Sequence, residues 1–318
     1  MSLLGRIAGL AACLSLVALA MPANAAYPDK LVHMLVGVAP GGLTDALARV
    51  VARKLQEKWG QPVIVENRPG ANNTIAEDLV AKAAPDGYTM VLTHTGHVAS
   101  PYLMPLSYDP VKSFAPVTEL IYAPHVLVIN PKRTPVNSLK ELIDLARAKP
   151  GQLNFGSGGA GALPSLNMVL LNNLAGAQIT EVIYQGMAPA AVALLGGEID
   201  VIFSSLNTLV PHVQAGNLRA LAVSTRERVS TLPGVPTVAE ALNLPAFETQ
   251  DWYGVLTTAG TPPDIVRKLQ QDMAASLKDP ELHEFLSKQD AVIVGSTPEE
   301  FSAFIGREMA KWQKVLKP

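Results

Sequence analysis

Two glycine-rich segments are the places in this sequence where residue types and spacing could do chemistry. The first turn covers residues 37–45 and reads GVAPGGLTD, and the second turn covers residues 156–162 and reads GSGGAGA. Each follows a strand-like apolar run and precedes a helix-like apolar periodicity. Glycine lets a ligand approach main-chain N–H groups closely, and a helix N-terminus offers unpaired N–H donors to an anion. Because neither turn contains Arg or Lys, the pattern predicts an anion site built from main-chain donors.

The second turn also permits a nucleotide-binding interpretation. Gly156-x-Gly158-x-x-Gly161 follows a predicted strand, with Glu181 further along the chain, and this is the pattern of a dinucleotide site. It would make the protein an exported NAD-dependent enzyme. The pattern is weak by itself, and around Ser157 the first glycine of the G-x-S-x-G hydrolase motif is missing. We therefore favour a binding protein that is not an enzyme and has no cofactor.

A histidine pair is the remaining candidate for metal chemistry. His94 and His97 are three residues apart, but no acidic or cysteine ligand completes a set nearby. The spacing therefore favours residues that line a cleft, and no metal site is predicted.

The first 25 residues are typical of a secretory signal peptide. Arg6 provides the positive charge, residues 7–20 form an apolar run, and Ala23-Asn24-Ala25 fits the small-residue cleavage pattern. This predicts cleavage after Ala25 and export to the periplasm. Cys13 is the only cysteine of the chain. Lipidation of Cys13 is the alternative, but little apolar sequence separates it from Arg6.

The composition argues against nucleic acid as a partner. The formal net charge is −2, and aromatic residues make up 5% of the chain. A phosphate-binding surface needs a concentrated basic face, and base stacking needs aromatic side chains.

Strand-like and helix-like segments alternate along the chain, which indicates an α/β fold. The predicted strands are 31–38, 62–66, 88–93, 126–130, 153–155, 181–184, 201–203, 220–224 and 252–256. The predicted helices are 46–58, 74–84, 138–150, 164–174 and 188–195, with two more at the end of the chain. Residues 99–118 are rich in proline and are predicted to be irregular.

Several short motifs together resemble one family, the Bug-type substrate-binding receptors of tripartite tricarboxylate transporters. They include PGGLTD at 40–45, GQPVIVENRPGA at 60–71, AKAAPDGYT at 81–89, GGEID at 196–200 and LPGVPT at 232–237.

The resemblance implies a two-lobed periplasmic binding protein of type II-like fold that closes over its ligand as a venus flytrap. Each lobe would be a mainly parallel sheet flanked by helices, with the ligand cleft between the lobes. The implied first lobe is residues 26–126 and 250–318, and the second is residues 127–249. A monomer that delivers a small organic carboxylate to membrane permease subunits is expected. A receptor that signals to a membrane kinase is the open alternative.

The resemblance also implies which residues hold the ligand carboxylate. Backbone N–H groups and hydroxyls of both turns and of two neighbouring loops would contribute. The residues implied to hold the carboxylate are Ala39, Gly41, Gly42, Thr44, Ser157, Gly158 and Gly159. The residues implied to line the walls of the site are His94, Thr95, Ser204, Ser205 and Asn207, and Leu43 and Ala162 complete the ligand-binding set.

This chain departs from the family pattern at the site. Leu43 replaces a usual glycine, Ala162 a usual Ser or Thr, and Ser165 a frequent His, while Asn72-Asn73 replace small residues. Losing a hydroxyl while gaining a leucine predicts a less polar acid, aromatic or branched, in preference to citrate.

Overall fold

The computed structural model describes residues 27–41, 43–287 and 290–317. The predicted signal peptide and Gly42 of the first turn therefore lie outside the described residues. Within the described part, no helix is both long enough and apolar enough to cross a membrane.

The described strands and helices alternate along most of the chain. The strands are β1 (Val32–Val36), β2 (Val63–Asn67), β3 (Thr89–His94), β4 (Phe114–Ala123), β5 (His125–Ile129), β6 (Asn154–Ser157), β7 (Thr180–Ile183), β8 (Val201–Ser205), β9 (Arg219–Val223), β10 (Asp251–Thr258) and β11 (Val292–Ile293). The helices are α1 (Leu43–Trp59), α2 (Thr74–Ala81), α3 (Gly96–Leu103), α4 (Leu139–Ala148), α5 (Leu163–Ala175), α6 (Met187–Gly196), α7 (Leu206–Gln214), α8 (Val238–Leu242), α9 (Pro263–Ser276), α10 (Pro280–Ser287) and α11 (Pro298–Leu316).

Two separate sheets give the molecule its two lobes. The first lobe is built on a sheet of order β11-β4-β10-β3-β1-β2, and the second lobe on a sheet of order β7-β6-β8-β5-β9. The strands that lead into the glycine-rich turns, β1 and β6, pair in parallel with both neighbours. Strands β4, β5, β9 and β10, next to the crossings between lobes, pair antiparallel. The predicted two-lobed α/β fold is confirmed, but each sheet is mixed where a mainly parallel sheet was expected, because the strands next to the crossings pair antiparallel.

The chain crosses between the sheets twice. Pro124 alone separates β4 from β5, and residues 224–250 lead from β9 back to β10. Ser224 ties the crossings together: its N–H donates to the carbonyl of His125 at 2.8 Å, and its carbonyl accepts from the N–H of Thr249 at 3.0 Å. The predicted lobe boundaries near residues 126 and 250 remain predictions.

One hydrophobic core is shared between the lobes. Leu163 and Leu166 of α5 are buried in the same cluster as Trp252 of the first-lobe sheet and Trp312 of α11. Helix α5 begins at the second turn, so this packing holds that turn against the first lobe.

The prediction that residues 99–118 are irregular was wrong at both ends. Helix α3 ends only at Leu103, and β4 begins at Phe114. Strand β4 was not predicted because it contains Pro116. Proline cannot donate a hydrogen bond to a neighbouring strand and is expected at the edge of a sheet. Strand β11 pairs with β4 only at Ile121 and Tyr122. On the β11 side of β4, Pro116 therefore has no partner among the described strands. Helix α7 was also not predicted.

Candidate functional site

The first turn is held in shape by Asp45. The side chain is buried, and its Oδ2 accepts hydrogen bonds from the N–H of Gly41 at 3.1 Å and from Nε of Arg49 at 3.0 Å. Its Oδ1 accepts from Nδ2 of Asn67, at the end of β2, at 2.8 Å. The hydrogen bond from Arg49 is the main reason that the pKa of Asp45 lies below its ordinary value. The N–H of Gly41 thus has an acceptor inside the turn, so its predicted ligand contact would have to share that donor.

The second turn is held in the same way by Ser157. Its buried hydroxyl donates to the carboxylate of Glu181 and accepts the N–H of Gly159 at 2.9 Å. Glu181 therefore accepts a hydrogen bond from a serine of the turn. In the dinucleotide interpretation, the same carboxylate would instead bind a ribose. The N–H groups of Gly158 and Ala160 donate to no acceptor among the described residues.

The structure brings the two turns together through two adjacent asparagines. The N–H of Gly37, at the start of the first turn, donates to Oδ1 of Asn73 at 2.6 Å. Nδ2 of Asn72 donates to the carbonyl of Gly161, in the second turn, at 3.0 Å. The two turns therefore lie on the same side of the molecule, as their proposed common role requires.

Helix N-termini at this side lack side-chain caps. Five of the helices that follow parallel strands have a described N-cap residue, and none of the five has a hydrogen bond from the N-cap side chain: α2, α3, α5, α6 and α7. Among the helices that follow antiparallel strands, α4, α8 and α11 are capped by Ser138, Thr237 and Thr297, whereas α9, with Pro262 at its N-cap, has no side-chain cap. An uncapped N-terminus leaves N–H donors and a partial positive charge. Such donors collect at the carboxyl ends of the parallel strands, where open α/β sheets bind ligands.

A chain of polar side chains joins the lobes beneath the turns. The side chain of Thr44 lies close enough to Tyr253 to act on it electrostatically, and the hydroxyl of Tyr253 donates to Oδ2 of Asp251 at 2.6 Å. Nε2 of His125 lies 3.7 Å from the same oxygen, and Nδ1 of His125 lies 3.3 Å from Nδ2 of Asn167. Thr44 is the second residue of α1 and Asn167 lies on α5, so these side chains link the helices that follow the two glycine-rich turns.

Charges along this chain keep Asp251 ionised. Burial by itself would raise the pKa of Asp251, but the hydrogen bond and charge of His125, with smaller contributions from His94 and Tyr253, bring it below its ordinary value. His94 is different, because burial outweighs its acidic neighbours and lowers its pKa. Nδ1 of His94 accepts the N–H of Gly96 at 3.2 Å. A neutral His94 would therefore present Nε2–H as a donor.

The two members of the predicted histidine pair have different surroundings. His97 is buried, with Nδ1 3.1 Å from Oε2 of Glu77 and Nε2 2.9 Å from the carbonyl of Pro110. Glu77 is fully buried and also accepts hydrogen bonds from Thr93 and Tyr108, both at 2.5 Å. His97 is thus part of the interior of the first lobe. The described residues contain no group of three His, Cys, Asp or Glu that could hold a metal ion.

The other predicted site residues lie around the turns. Thr95 is buried, and its hydroxyl is 3.4 Å from the carbonyl of Gln250 in the crossing segment. Ser204 is buried at the end of β8, Ser205 Oγ is 3.1 Å from Thr208 Oγ1, and Asn207 is exposed. Leu43 is partly buried against the first-lobe core.

Ala39 and Ala162 complete the predicted set. Ala39 is exposed in the first turn, and Ala162 is the N-cap residue of α5.

Sequence reasoning missed Asn167, Asp251, Tyr253 and the bridging role of Asn72. Asp251 and Tyr253 are neighbours on β10, but Asn167 lies far from them in the chain, and no local pattern connects it with them. Asn72 did carry a signal, because a pair of asparagines after Pro69-Gly70 breaks the family pattern.

Comparison with known proteins decides the family. The family model described as tripartite tricarboxylate transporter family receptor matches residues 47–318. The chain belongs to this receptor family. BugT of Bordetella pertussis, a related protein, is 37% identical over 303 residues, which is 94% of this chain and 92% of BugT.

The structures of two Rhodopseudomonas palustris proteins are similar to the structure of this chain. One, with adipate, has a TM-score of 0.80 and 35% identity, covering 92% of this chain and 97% of that protein. The other, MatC with bound malate, has a TM-score of 0.79 and 32% identity, covering 92% of this chain and 100% of MatC.

Proposed function

We propose that this chain is an exported solute-binding receptor that encloses a small carboxylate between its lobes and delivers it to the permease subunits of a tripartite transporter. The family assignment supports the receptor role. The malate and adipate complexes of related proteins support a carboxylate ligand. Residues 1–25, removed after Ala25, would direct the chain to the periplasm, where it would act as a monomer.

The observation that carries this proposal is the meeting of the two turns, the second of which leads into the uncapped N-terminus of α5. Asn72 and Asn73 link the turns, and Asp45 and Ser157 fix their shapes from inside. The N–H groups of Ala39, Gly158 and Ala160 remain available within the described structure. Preorganised donors of this kind bind an anion without first having to be ordered.

Main-chain donors are strong enough for such a ligand. A micromolar ligand needs about 8 kcal/mol of net binding free energy, and each hydrogen bond to a charged acceptor contributes roughly 1.5–3 kcal/mol. Four or five donors on one carboxylate therefore suffice without Arg or Lys, provided that the costs of binding stay small.

The side chains near the turns favour a less polar acid. Ala162 offers no hydroxyl at the N-cap of α5, and Leu43 adds an apolar side chain at the start of α1. We propose an aromatic or branched carboxylate, or an unsubstituted dicarboxylate, in preference to citrate.

Calorimetric titration of the mature protein tests the function and the preference together. Adipate, malate, citrate and benzoate are the probes, and chloride at equal ionic strength is the control. We expect reversible 1:1 binding of at least one acid, with citrate the weakest. Ligand at about 100 times its Kd would add about 2.7 kcal/mol to the free energy of unfolding. Binding of none of the four acids, or of citrate as tightly as the others, would contradict the proposal.

A further inference from the structure

Asn72 is the point at which the first lobe holds the second turn. Its Nδ2 donates to the carbonyl of Gly161 at 3.0 Å and lies 3.4 Å from Oγ of the buried Ser100. A Cβ atom at Gly161 would lie 2.6 Å from this Nδ2 and 3.1 Å from Cδ1 of Leu103. The turn therefore docks so closely that only glycine fits at position 161.

The backbone that presents Asn72 is strained. Ala71, Asn72 and Asn73 have successive φ values of 45°, 55° and 78°. Left-handed conformations are costly for residues other than glycine, although asparagine tolerates them better than most residues. Such strain persists only where the surrounding structure enforces it.

The side chain of Asn73 enforces this conformation. Asn73 is fully buried, and its Oδ1 accepts the N–H of Gly37 at 2.6 Å. Its Nδ2 donates to Oε1 of Glu77 at 2.9 Å and lies 3.1 Å from Oγ1 of Thr93. Asn73 thereby anchors the loop inside the first lobe, and Asn72 is held in place to contact the second.

We propose that Asn72 is a latch between the lobes. Its side-chain amide stabilises the conformation in which the second turn is docked on the first lobe, and so it increases the population of the closed receptor. Asn72 acts as a positioning residue and does not touch the ligand. One hydrogen bond of ordinary net strength corresponds to a change of up to about tenfold in the ratio of closed to open molecules.

Cross-linking across the cleft measures this population without a ligand. Cys13 lies in the predicted signal peptide and is the only cysteine, so the mature protein with Leu103→Cys and Ala160→Cys would carry only these two thiols. The rate of reaction with a short bis-maleimide is compared in three backgrounds: unchanged, Asn72→Gly and Asn243→Gly. Asn243 is the matched control, because its φ of 53° is also left-handed and it ends α8 away from the cleft.

We expect Asn72→Gly to slow the cross-linking several-fold and Asn243→Gly to leave it unchanged. Glycine accepts a φ of 55° without strain, so a fall reflects the lost amide. Asn72→Asp is the second variant: it keeps an Asx residue in the loop but replaces the donor by an acceptor, and it should slow the reaction at least as much. Equal rates in all backgrounds would overturn the latch.

A second arm, which rests on the proposed function, separates a latch from a ligand contact. A residue that acts only on closure weakens every ligand by the same factor, whereas a residue that touches the ligand changes the ratio of affinities. The Kd values of adipate and malate should therefore rise together in Asn72→Gly. A changed ratio would contradict the latch. Failure of both acids to bind the unchanged protein would count against the proposed function only, because the cross-linking rates decide the latch separately.

Discussion

Asp45 and Ser157 perform the same task in the two lobes with different chemistry. Asp45 accepts the N–H of Gly41 and pairs with Arg49, whereas Ser157 accepts the N–H of Gly159 and donates to Glu181. Each side chain accepts one main-chain N–H group of its own turn, and this hydrogen bond fixes the positions of the other N–H groups of that turn. At the scale of single residues, the site is therefore defined by which amides are occupied as much as by which are free.

Asp45→Asn tests this role in the first turn. The amide keeps the size of the carboxylate but loses the charge that receives Arg49, and hydrogen bonds to charged groups contribute about 1.5–3 kcal/mol each. Arg49 is half exposed, so we expect the lower part of that range in free energy of unfolding, together with weaker ligand binding. Denaturant titration and calorimetry measure the two effects. Asp78→Asn, which removes a carboxylate paired with Lys82 away from the turns, should leave affinity unchanged.

Glu119 makes the stability of the first lobe depend on pH. It is 5% exposed on β4, and its Oε1 has no hydrogen-bond partner within the described structure. Burial, and next the charge of Glu308, raise its pKa to about 7 from 4.5. A raised pKa in the folded state means that its stabilising effect is full below the unfolded value and is lost as the pH rises through about 7.

Glu119→Gln removes this titration. The variant should match the parent at pH 4 and become more stable than the parent above pH 7, by up to roughly 3 kcal/mol, which is what a shift of this size corresponds to. Denaturant titrations from pH 4 to pH 9 measure the difference. A difference that does not change with pH would refute the assignment.

At the scale of elements, none of the helices with a described N-cap that follow parallel strands carries a side-chain cap. Helices α5, α6 and α7 leave their N-termini uncapped, while α4 and α8 carry Ser and Thr caps. Capping residues stabilise a helix by about 1 kcal/mol each. The uncapped N-termini of α5, α6 and α7 lack that stabilisation, but their main-chain N–H groups stay free to donate to a ligand.

The substitution Ala162→Ser tests whether the uncapped N-terminus of α5 gives up stability to keep its N–H donors for a ligand. The backbone of Ala162 is already extended, with φ −71° and ψ 140°, so serine can cap the helix and should stabilise the protein by about 1 kcal/mol. The added hydroxyl should also shift relative affinity from adipate towards malate. Ser138→Ala on α4 is the control: it should destabilise by a similar amount and leave the ratio of affinities unchanged. Thermal unfolding and calorimetry would contradict the prediction if Ala162→Ser altered neither quantity.

The elements that the sequence predicted well are those with strong local patterns. Strands β1, β2 and β3 and helix α1 follow clear apolar periods, and the two turns carry obvious glycine signals. Strand β4 was missed because it contains Pro116, which a strand tolerates where one side is unpaired, and here β11 is too short to reach it. The chain from Thr44 to Asn167 was missed because its members lie up to 209 residues apart and meet only after both crossings have formed.

At the scale of the whole molecule, the lobes are joined by more than the two crossings. Val315 of α11 packs against clusters in both lobes, and Leu163 of α5 is buried in the first-lobe core. The polar chain through Asp251 and His125 lies in the same region. Closure of the receptor would therefore have to preserve a continuous interior while it changes the spacing of the turns.

The central claim is that main-chain amides from both lobes bind one ligand. Selective ¹⁵N labelling of glycine and alanine resolves Ala39 in the first turn and Gly158 and Ala160 in the second, with Gly176 and Gly216 as distant references. During a titration with adipate, the amide signals of both turns should shift along a single 1:1 binding curve while the references stay in place. Shifts confined to one turn, or different apparent Kd values for the two turns, would contradict the account.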